Sequence, residues 1–319
     1  MKRIARIFAM VGCMVLAANL FGQANSGTEA AQKQKVLWSK LGSAIEAIDQ
    51  QLDGVLGVAI EDLTTGQKFL LREDEVFPQA SSIKIAILAE LYQQSQLPAG
   101  SGSHRAQLSD LYTFQPSDLV ADSDIMQGLT PSVTRLTNRD LATMMVAVSD
   151  NSAANVLIDR VGMDNVNSLL ESLGLSHTRL RRKMMDLRAA SEGRENVSTP
   201  REMMLLLEKI YHGKVLNPEM TKDFLKVLST HKDSWIPRNL PEGIQIANKP
   251  GSLEGVRNDS GIVFASRPYV ICVMTAYLSN ERDGEDAISR ISAAAYRLFD
   301  RLGRASELGR VVSPRNSAR

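Results

Sequence analysis

Residues 77–91 read FPQASSIKIAILAEL, a short turn-like segment followed by an almost continuous apolar run. The first four residues end a strand-like stretch, and the run that follows predicts a buried helix. Lys84 interrupts the apolar run three residues after Ser81, so the two side chains lie on one helical face. Because an unpaired charge is costly to bury, a lysine at this position needs a partner or a purpose.

Strand signals lie on both sides of this helix, towards the two ends of the chain. The apolar pattern predicts a helix over residues 36–52 and a closing helix over residues 286–302. The predicted strands occupy two runs within residues 57–77 and later runs at 244–249, 261–265 and 269–278. Between them, amphipathic helical stretches cover residues 138–148, 152–161, 164–173 and 200–211. We therefore predict an α+β fold, in which strands from both chain ends form one antiparallel sheet flanked by helices.

The helical middle predicts an inserted all-helical lobe, with the active site between the two lobes. We predict a single catalytic domain over residues 25–304. Its α/β lobe would comprise about residues 36–92 and 240–304, and its helical lobe about residues 93–239. Residues 305–319 have the composition of a frayed tail.

Residues 1–24 have the pattern of a cleaved secretory signal peptide. Lys2, Arg3 and Arg6 precede an apolar run, and the segment ends in Gly22-Gln23-Ala24. A lipoprotein cut before Cys13 is the alternative, but the apolar run continues past that cysteine. The run is short for a membrane span, so we expect an exported protein, periplasmic or secreted, without a stable span.

Composition excludes several classes of function. The 319 residues are 44% hydrophobic and 23% charged, which is typical of a globular protein. A net charge of +1 gives no reason to expect a nucleic-acid partner. With Cys13 and Cys272 as the only cysteines, a disulfide framework and a cysteine-based metal site are excluded. We predict no cofactor and no metal, and a monomer that acts on a small molecule.

Two further motifs carry residue types suited to catalysis. Ser149-Asp150-Asn151 follows an apolar helix and could be a helix N-cap, a part of the site, or both. Lys249-Pro250-Gly251-Ser252 ends a predicted strand, where a lysine can present its charge to a ligand or simply be solvated. A serine hydroxyl is a poor nucleophile until a base takes its proton, and a lysine with a lowered pKa can be that base.

Taken together and in this order, the three motifs resemble those of class A β-lactamase-like serine hydrolases, over about residues 36–303. The resemblance implies that Ser81 attacks the carbonyl of a β-lactam or an acyl-D-Ala-D-Ala peptide, with Lys84 helping to take its proton. It implies that Ser149 relays a proton to the leaving nitrogen and that Asn151 holds the substrate amide and Lys84. Lys249 would supply positive charge near the substrate carboxylate.

The resemblance also implies three substrate-binding residues. Gly251 belongs to the lysine-containing strand motif, and the N–H group of Ser252 would form an oxyanion hole with that of Ser81. Ser252 could also offer its hydroxyl to the substrate carboxylate. Arg257 is a second candidate for that carboxylate by proximity in sequence, and a surface arginine is an equally good interpretation.

The chain departs from the family pattern at two positions. Met184 falls where class A enzymes carry the Glu that activates the hydrolytic water, and a thioether cannot act as a base. Asp186 is the nearest carboxylate that could replace it, and Glu192 and Glu195 are more distant candidates or ion-pair partners of nearby arginines. Pro250 stands where the family has Thr or Ser, which removes a hydroxyl and a backbone N–H.

The sequence therefore predicts a serine hydrolase of the β-lactamase class that reacts through a Ser81 acyl-enzyme. The alternatives are a D,D-peptidase or esterase acting on peptidoglycan-like or ester substrates, and a penicillin-binding domain that acylates but deacylates poorly.

Overall fold

The computed structural model describes residues 29–97, 106–306 and 308–311. Helix α1 covers residues 29–51. The other helices are α2 (Lys84–Ser95), α3 (Asn138–Ala147), α4 (Asn151–Val161), α5 (Met163–Ser172), α6 (Leu187–Ser191), α7 (Pro200–Tyr211), α8 (Pro218–Leu228) and α9 (Glu281–Arg304). The strands are β1 (Val55–Asp62), β2 (Lys68–Leu71), β3 (Phe77–Pro78), β4 (Leu111–Thr113), β5 (Arg135–Thr137), β6 (Val197–Ser198), β7 (Ile246–Leu253), β8 (Val256–Val263) and β9 (Tyr269–Ala276). Short 3-10 helices cover Ala80–Ile83, Pro116–Asp118 and Met126–Gly128.

Strands from the two ends of the chain form one antiparallel sheet in the order β2-β1-β9-β8-β7. Strand β1 pairs with β9 along its whole length, from Val55 opposite Ala276 to Asp62 opposite Tyr269. The predicted α+β fold with a flanked antiparallel sheet is confirmed. Strand β7, which carries Lys249, is an edge strand of this sheet and lies beside the 3-10 helix Ala80–Ile83.

Each face of the sheet is covered by its own apolar core. Along β1, Val58 and Ile60 face the core built with α1 and α9, while Ala59 faces the core built with the remaining helices. This alternation follows from the two-residue period of a strand. In the first core, Tyr269 stacks on Phe299 with ring centroids 4.2 Å apart. Burial of both faces fixes the register of the strands and hence the position of Lys249 on the sheet edge.

Several elements differ from the sequence prediction. Helix α1 already covers residue 29, whereas the predicted helix began at residue 36. Helix α8 was not predicted, although Asn217 caps it through the Met220 N–H and Pro218 stands at its first position. The region between residues 97 and 233 also contains β4, β5 and β6, which at two or three residues are too short to leave a periodic signal.

The described carboxyl-terminal residues are more ordered than the sequence predicted. Residues 305–311 were predicted to be a frayed tail, but Ala305 forms a β-bridge with Val311, and Lys33 Nζ donates to Leu308 O at 3.3 Å. The predicted signal peptide, residues 1–24, lies outside the described residues. Within the described part of the chain, no helix has the length and apolarity needed to cross a bilayer.

Candidate active site

Ser81 lies in a tight turn at the amino end of α2. The 3-10 helix Ala80–Ile83 leads directly into α2, and Ala80 adopts a φ of +48°, a left-handed conformation that is uncommon for a residue with a side chain. Ser81 is partly exposed to the cleft, whereas Lys84 is completely buried. The turn therefore presents a hydroxyl to solvent above a buried amine.

The amine of Lys84 is surrounded by oxygen atoms. Its Nζ lies 3.1 Å from Ser81 Oγ, 3.1 Å from Ser149 Oγ, 2.6 Å from Ser149 O and 2.8 Å from Asn151 Oδ1. The carbonyl and amide oxygens can only accept, so they use two N–H groups. A neutral amine has two N–H groups and one lone pair. The lone pair is then free to accept the hydroxyl proton of Ser81.

Burial lowers the pKa of Lys84 well below its ordinary value, and the neighbouring charge of Lys249 lowers it further. The carboxylates of Asp150 and Asp122 act in the opposite direction. Burial, with a smaller effect of Lys232, lowers the pKa of Lys249 to about 7. Burial and the charge of Lys249 thus favour the neutral amine of Lys84, and Lys249 stays charged up to about neutral pH.

Ser149 connects the two lysines. Lys249 Nζ donates to Ser149 Oγ at 3.1 Å, so one hydroxyl contacts both amines. The residue after it, Asp150, is the N-cap of α4 and accepts the Ala153 N–H at 2.9 Å. Ser149 itself has a φ of +59°. The motif is thus both a helix cap and a part of the cleft, which are the two interpretations that the sequence left open.

Strand β7 packs against the Ser81 turn without space between them. A Cβ at Gly251 would lie 2.6 Å from Gln79 O and 2.8 Å from Ser82 N. Ser82 Oγ donates to Lys249 O at 3.0 Å and ties the strand to the turn. The glycine is therefore needed for close approach of two backbones, and this approach sets the distance between Ser81 and Lys249.

These groups line one cleft of about 460 Å³. Its walls include Ser81, Ser149, Asn151, Lys249, Pro250, Ser252, Asp122, Asp124, Val148, Arg182, Met184, Met185, Leu187, Asn196, Asp233 and Trp235. The structure thus brings together four of the five residues predicted to be catalytic, with Lys84 directly beneath them. Ser252 is exposed in the cleft.

Arg257 is not in this cleft. Its Nε donates to Glu285 Oε1 at 3.1 Å, its Nη1 donates to Leu253 O and Val256 O, and its guanidinium lies 5.9 Å from the ring centre of Trp235. These contacts use the guanidinium in holding β8 against α9. The prediction of Arg257 as a substrate-binding residue therefore has no support from its position.

The segment that contains Met184 is held rigidly beneath the cleft. Met184 N donates to Asn155 Oδ1 at 2.7 Å, and Asn155 Nδ2 donates back to Met184 O at 3.0 Å. Arg182 pairs with Glu195 at 2.8 Å, which closes the segment at its base. The cleft-lining residues that it contributes are Arg182, Met184, Met185, Leu187 and Asn196, and none is a carboxylate.

The carboxylates proposed to replace the missing Glu have structural partners. Asp186 caps α6 by accepting the Ala189 N–H at 2.9 Å. Glu192 pairs with Arg188 and Arg194, and Glu195 pairs with Arg182. Asp186 is exposed, and neither it nor the two glutamates line the cleft.

Sequence reasoning missed two features of the site. Asp122 and Asp124 line the cleft from a loop whose position no local pattern reveals. Lys232 ends the sequence Ser229–Lys232, which repeats the S-x-x-K spacing of Ser81 and Lys84, and it lies close enough to Lys249 to lower the pKa of that lysine. Among the described residues, no group of three or more His, Cys, Asp or Glu side chains is placed to bind a metal ion.

Comparison with known proteins gives a consistent result. A family model described as the beta-lactamase enzyme family matches residues 40–299. Beta-lactamase SME-1 of Serratia marcescens is 26% identical over 298 residues, which cover 90% of this chain and 95% of that protein. A beta-lactamase of Bacillus licheniformis is 26% identical over 295 residues, covering 90% of each chain.

Solved structures show the same similarity. A beta-lactamase from Sphaerobacter thermophilus has a TM-score of 0.73 and 32% identity, covering 82% of this chain and 97% of that chain. The structure of PBP-A has a TM-score of 0.71 and 25% identity, covering 81% of this chain and 96% of that chain. The two share the fold of this chain over nearly their whole length.

Replacing Gly251 with Ala should separate β7 from the Ser81 turn, because the new Cβ would meet backbone atoms rather than a flexible side chain. We expect a loss of about 1–3 kcal/mol in the free energy of unfolding, measured by urea denaturation. A crystal structure of the variant should show a longer Ser82 Oγ–Lys249 O distance.

The matched control is Gly128→Ala, since a Cβ at Gly128 would have no heavy atom within 4 Å. This variant should keep the stability of the wild-type protein. Equal stability of the two variants would contradict the packing argument.

Proposed function

Because the chain belongs to the beta-lactamase enzyme family, we propose that it is a serine hydrolase that opens β-lactams through an acyl-enzyme on Ser81. The observation that carries this proposal is the position of Lys84 Nζ, 3.1 Å from both Ser81 Oγ and Ser149 Oγ. One buried amine can take the proton of the nucleophile and pass it towards the second hydroxyl.

In the acylation step, Ser81 Oγ bonds to the β-lactam carbonyl carbon while Lys84 Nζ accepts the hydroxyl proton. The backbone N–H groups of Ser81 and Ser252 would hold the carbonyl oxygen as it becomes negative. When the carbon–nitrogen bond breaks, the ring nitrogen takes a proton from Ser149 Oγ, which Lys84 replenishes. Asn151 keeps Lys84 in place, with Oδ1 2.8 Å from its Nζ.

The charge on Lys249 has two uses in this scheme. It attracts the substrate carboxylate, together with the exposed hydroxyl of Ser252. It also disfavours a second charge on Lys84, which keeps that amine a base. Pro250 removes one hydroxyl from the carboxylate site, and Ser252 is the neighbouring hydroxyl that remains in the cleft.

Deacylation requires a water molecule to attack the ester carbonyl and a base to take its proton. The segment around Met184 contributes no carboxylate to the cleft. We therefore propose that hydrolysis of the acyl-enzyme is the slower of the two steps. We still propose hydrolysis of β-lactams as the activity. Slow deacylation lowers the turnover rate of that reaction.

The proposal includes the location of the protein. The segment over residues 1–24 supports export to the periplasm or beyond, with cleavage near Ala24. The substrate is a small molecule, and we propose that the protein acts as a monomer.

Intact-mass measurement tests the covalent step. After mixing with a chromogenic cephalosporin, the wild-type protein should gain the mass of the bound drug and then release the hydrolysed product. Ser81→Ala should form no adduct, because no hydroxyl stands above Lys84. Ser229→Ala, in the second S-x-x-K sequence, is the control and should behave like the wild type. An adduct on Ser81→Ala would disprove the assignment of the nucleophile.

Met184→Glu tests the proposed slow step. A carboxylate at this position of the cleft should shorten the lifetime of the acyl-enzyme by about tenfold or more, because it supplies a general base. Quenched-flow mass spectrometry measures the decay of the adduct. Met184→Gln has the same shape without the base and should leave the lifetime long. If Gln accelerates decay as much as Glu does, water access rather than a missing base limits deacylation.

The pH dependence of acylation reports the two lysines. Below about pH 7, Lys249 carries its charge and attracts the carboxylate; above that pH it loses the charge, so kcat/KM for acylation should fall. On the acid side, protonation of Lys84 should lower the rate. Lys249→Gln should react more slowly and lose the alkaline limb, in stopped-flow measurements over about pH 5 to 9. An alkaline limb that survives in this variant would belong to another group.

A further inference from the structure

Charge is separated along the depth of the cleft. At its floor, Lys84 and Lys249 are fully buried, and neither forms an ion pair with a described carboxylate. Asp122 and Asp124 line the same cleft but are exposed, and we call the part of the cleft that they line its mouth. A ligand that enters the cleft therefore meets negative charge first and positive charge last.

The two aspartates are held at the mouth by the residue between them. Ser123 is buried, and its Oγ accepts the Ser152 N–H at 2.9 Å and lies 2.7 Å from Ser152 Oγ. Asp122 O accepts the Asn151 N–H at 3.2 Å. Both carboxylates are exposed and, among the described residues, have no hydrogen-bond or ion-pair partner. The loop is thus anchored to α4 while its charges face the opening.

The other charges of the cleft do not cancel this pair. Arg182 is occupied by Glu195 at 2.8 Å. Asp233, which also lines the cleft, adds a third carboxylate, although Arg238 lies 3.7 Å from it and reduces its effect. The mouth therefore keeps a net negative charge.

An independent observation at the floor points to the other half of the ligand. Lys249 Nζ donates to Ser149 Oγ and to Pro250 O, both at 3.1 Å, and both acceptors are uncharged. Arg257, the other candidate for an anion, is directed away to Glu285. A buried lysine that lines a cleft and contacts only neutral oxygens is placed to receive an anionic group of a ligand.

We propose that this cleft favours zwitterionic β-lactams, which carry a carboxylate on the bicyclic ring and an ammonium group on the side chain. Asp122 and Asp124 are the specificity-determining residues: they attract the ammonium group at the mouth while Lys249 attracts the carboxylate at the floor. This inference rests on the proposed function and adds the substrate class to it.

Two penicillins that differ by one group provide the test. Ampicillin has an α-amino group on its side chain, and benzylpenicillin lacks it. The measurement is kcat/KM for acylation of each at about pH 6, where that amine is protonated. In Asp122→Asn/Asp124→Asn, the ratio of ampicillin to benzylpenicillin should fall about fivefold, because the isosteric amides remove the attraction. Raising the salt to about 1 M should lower the wild-type ratio in the same direction.

Controls separate the possible results. Glu46→Gln removes an exposed charge from α1, on the opposite side of the sheet, and should leave the ratio unchanged. The single variant Asp124→Asn should also lower the ratio, by a smaller factor. It provides the measurement if the double variant folds poorly. A ratio that is the same in wild type and in both variants overturns the inference while leaving β-lactam hydrolysis intact. If neither penicillin acylates the wild-type protein, the proposed function itself is wrong.

Discussion

The burial of two lysines side by side is the constraint on which the rest of the site depends. Removing a charged amine from water costs several kcal/mol unless oxygen atoms replace the lost hydration. Ser149 offers its hydroxyl to both amines and its carbonyl to Lys84, and Asn151 supplies a further oxygen to Lys84. The remaining cost appears as lowered pKa values of both lysines. The proposed base, Lys84, and the proposed cation, Lys249, thus depend on the same packing arrangement.

Strained backbone maintains this arrangement. Ala80 and Ser149 both adopt left-handed conformations, which cost on the order of 1–3 kcal/mol each for residues with side chains. Such conformations persist only where the surroundings determine them. Here the close packing of β7 at Gly251 fixes the turn of Ser81, and the cap of α4 by Asp150 fixes Ser149. The packing of the sheet and the helices offsets the cost of these two conformations, which position the hydroxyl groups of Ser81 and Ser149.

The described residues provide more of the groups needed for acylation than of those needed for deacylation. The groups proposed as nucleophile, base, proton relay and carboxylate site, namely Ser81, Lys84, Ser149 and Lys249, converge within hydrogen-bond distances at the sheet edge. The segment that contains Met184 is rigid, because Asn155 binds both backbone groups of Met184 and Arg182 pairs with Glu195. That rigidity holds a thioether, which cannot accept a proton from water. The groups proposed for acylation are therefore in place, whereas the segment around Met184 brings no carboxylate to the cleft.

The sequence by itself determined the sheet from both chain ends, the buried helix after Ser81 and the set Ser81, Lys84, Ser149, Asn151 and Lys249. The sheet and the buried helix followed from apolar periodicity, which is a local property, whereas the five site residues followed from three short motifs whose order resembles that of class A β-lactamase-like enzymes. It did not reveal α8 or the short strands, and it left Arg257 as a candidate. Tertiary structure alone decided that Arg257 turns to Glu285, that Met184 faces the cleft and that Asp122 and Asp124 stand at its mouth. The physical reason is that the direction of a side chain depends on which distant strand or helix packs beside it. Residue spacing along the chain does not predict that contact.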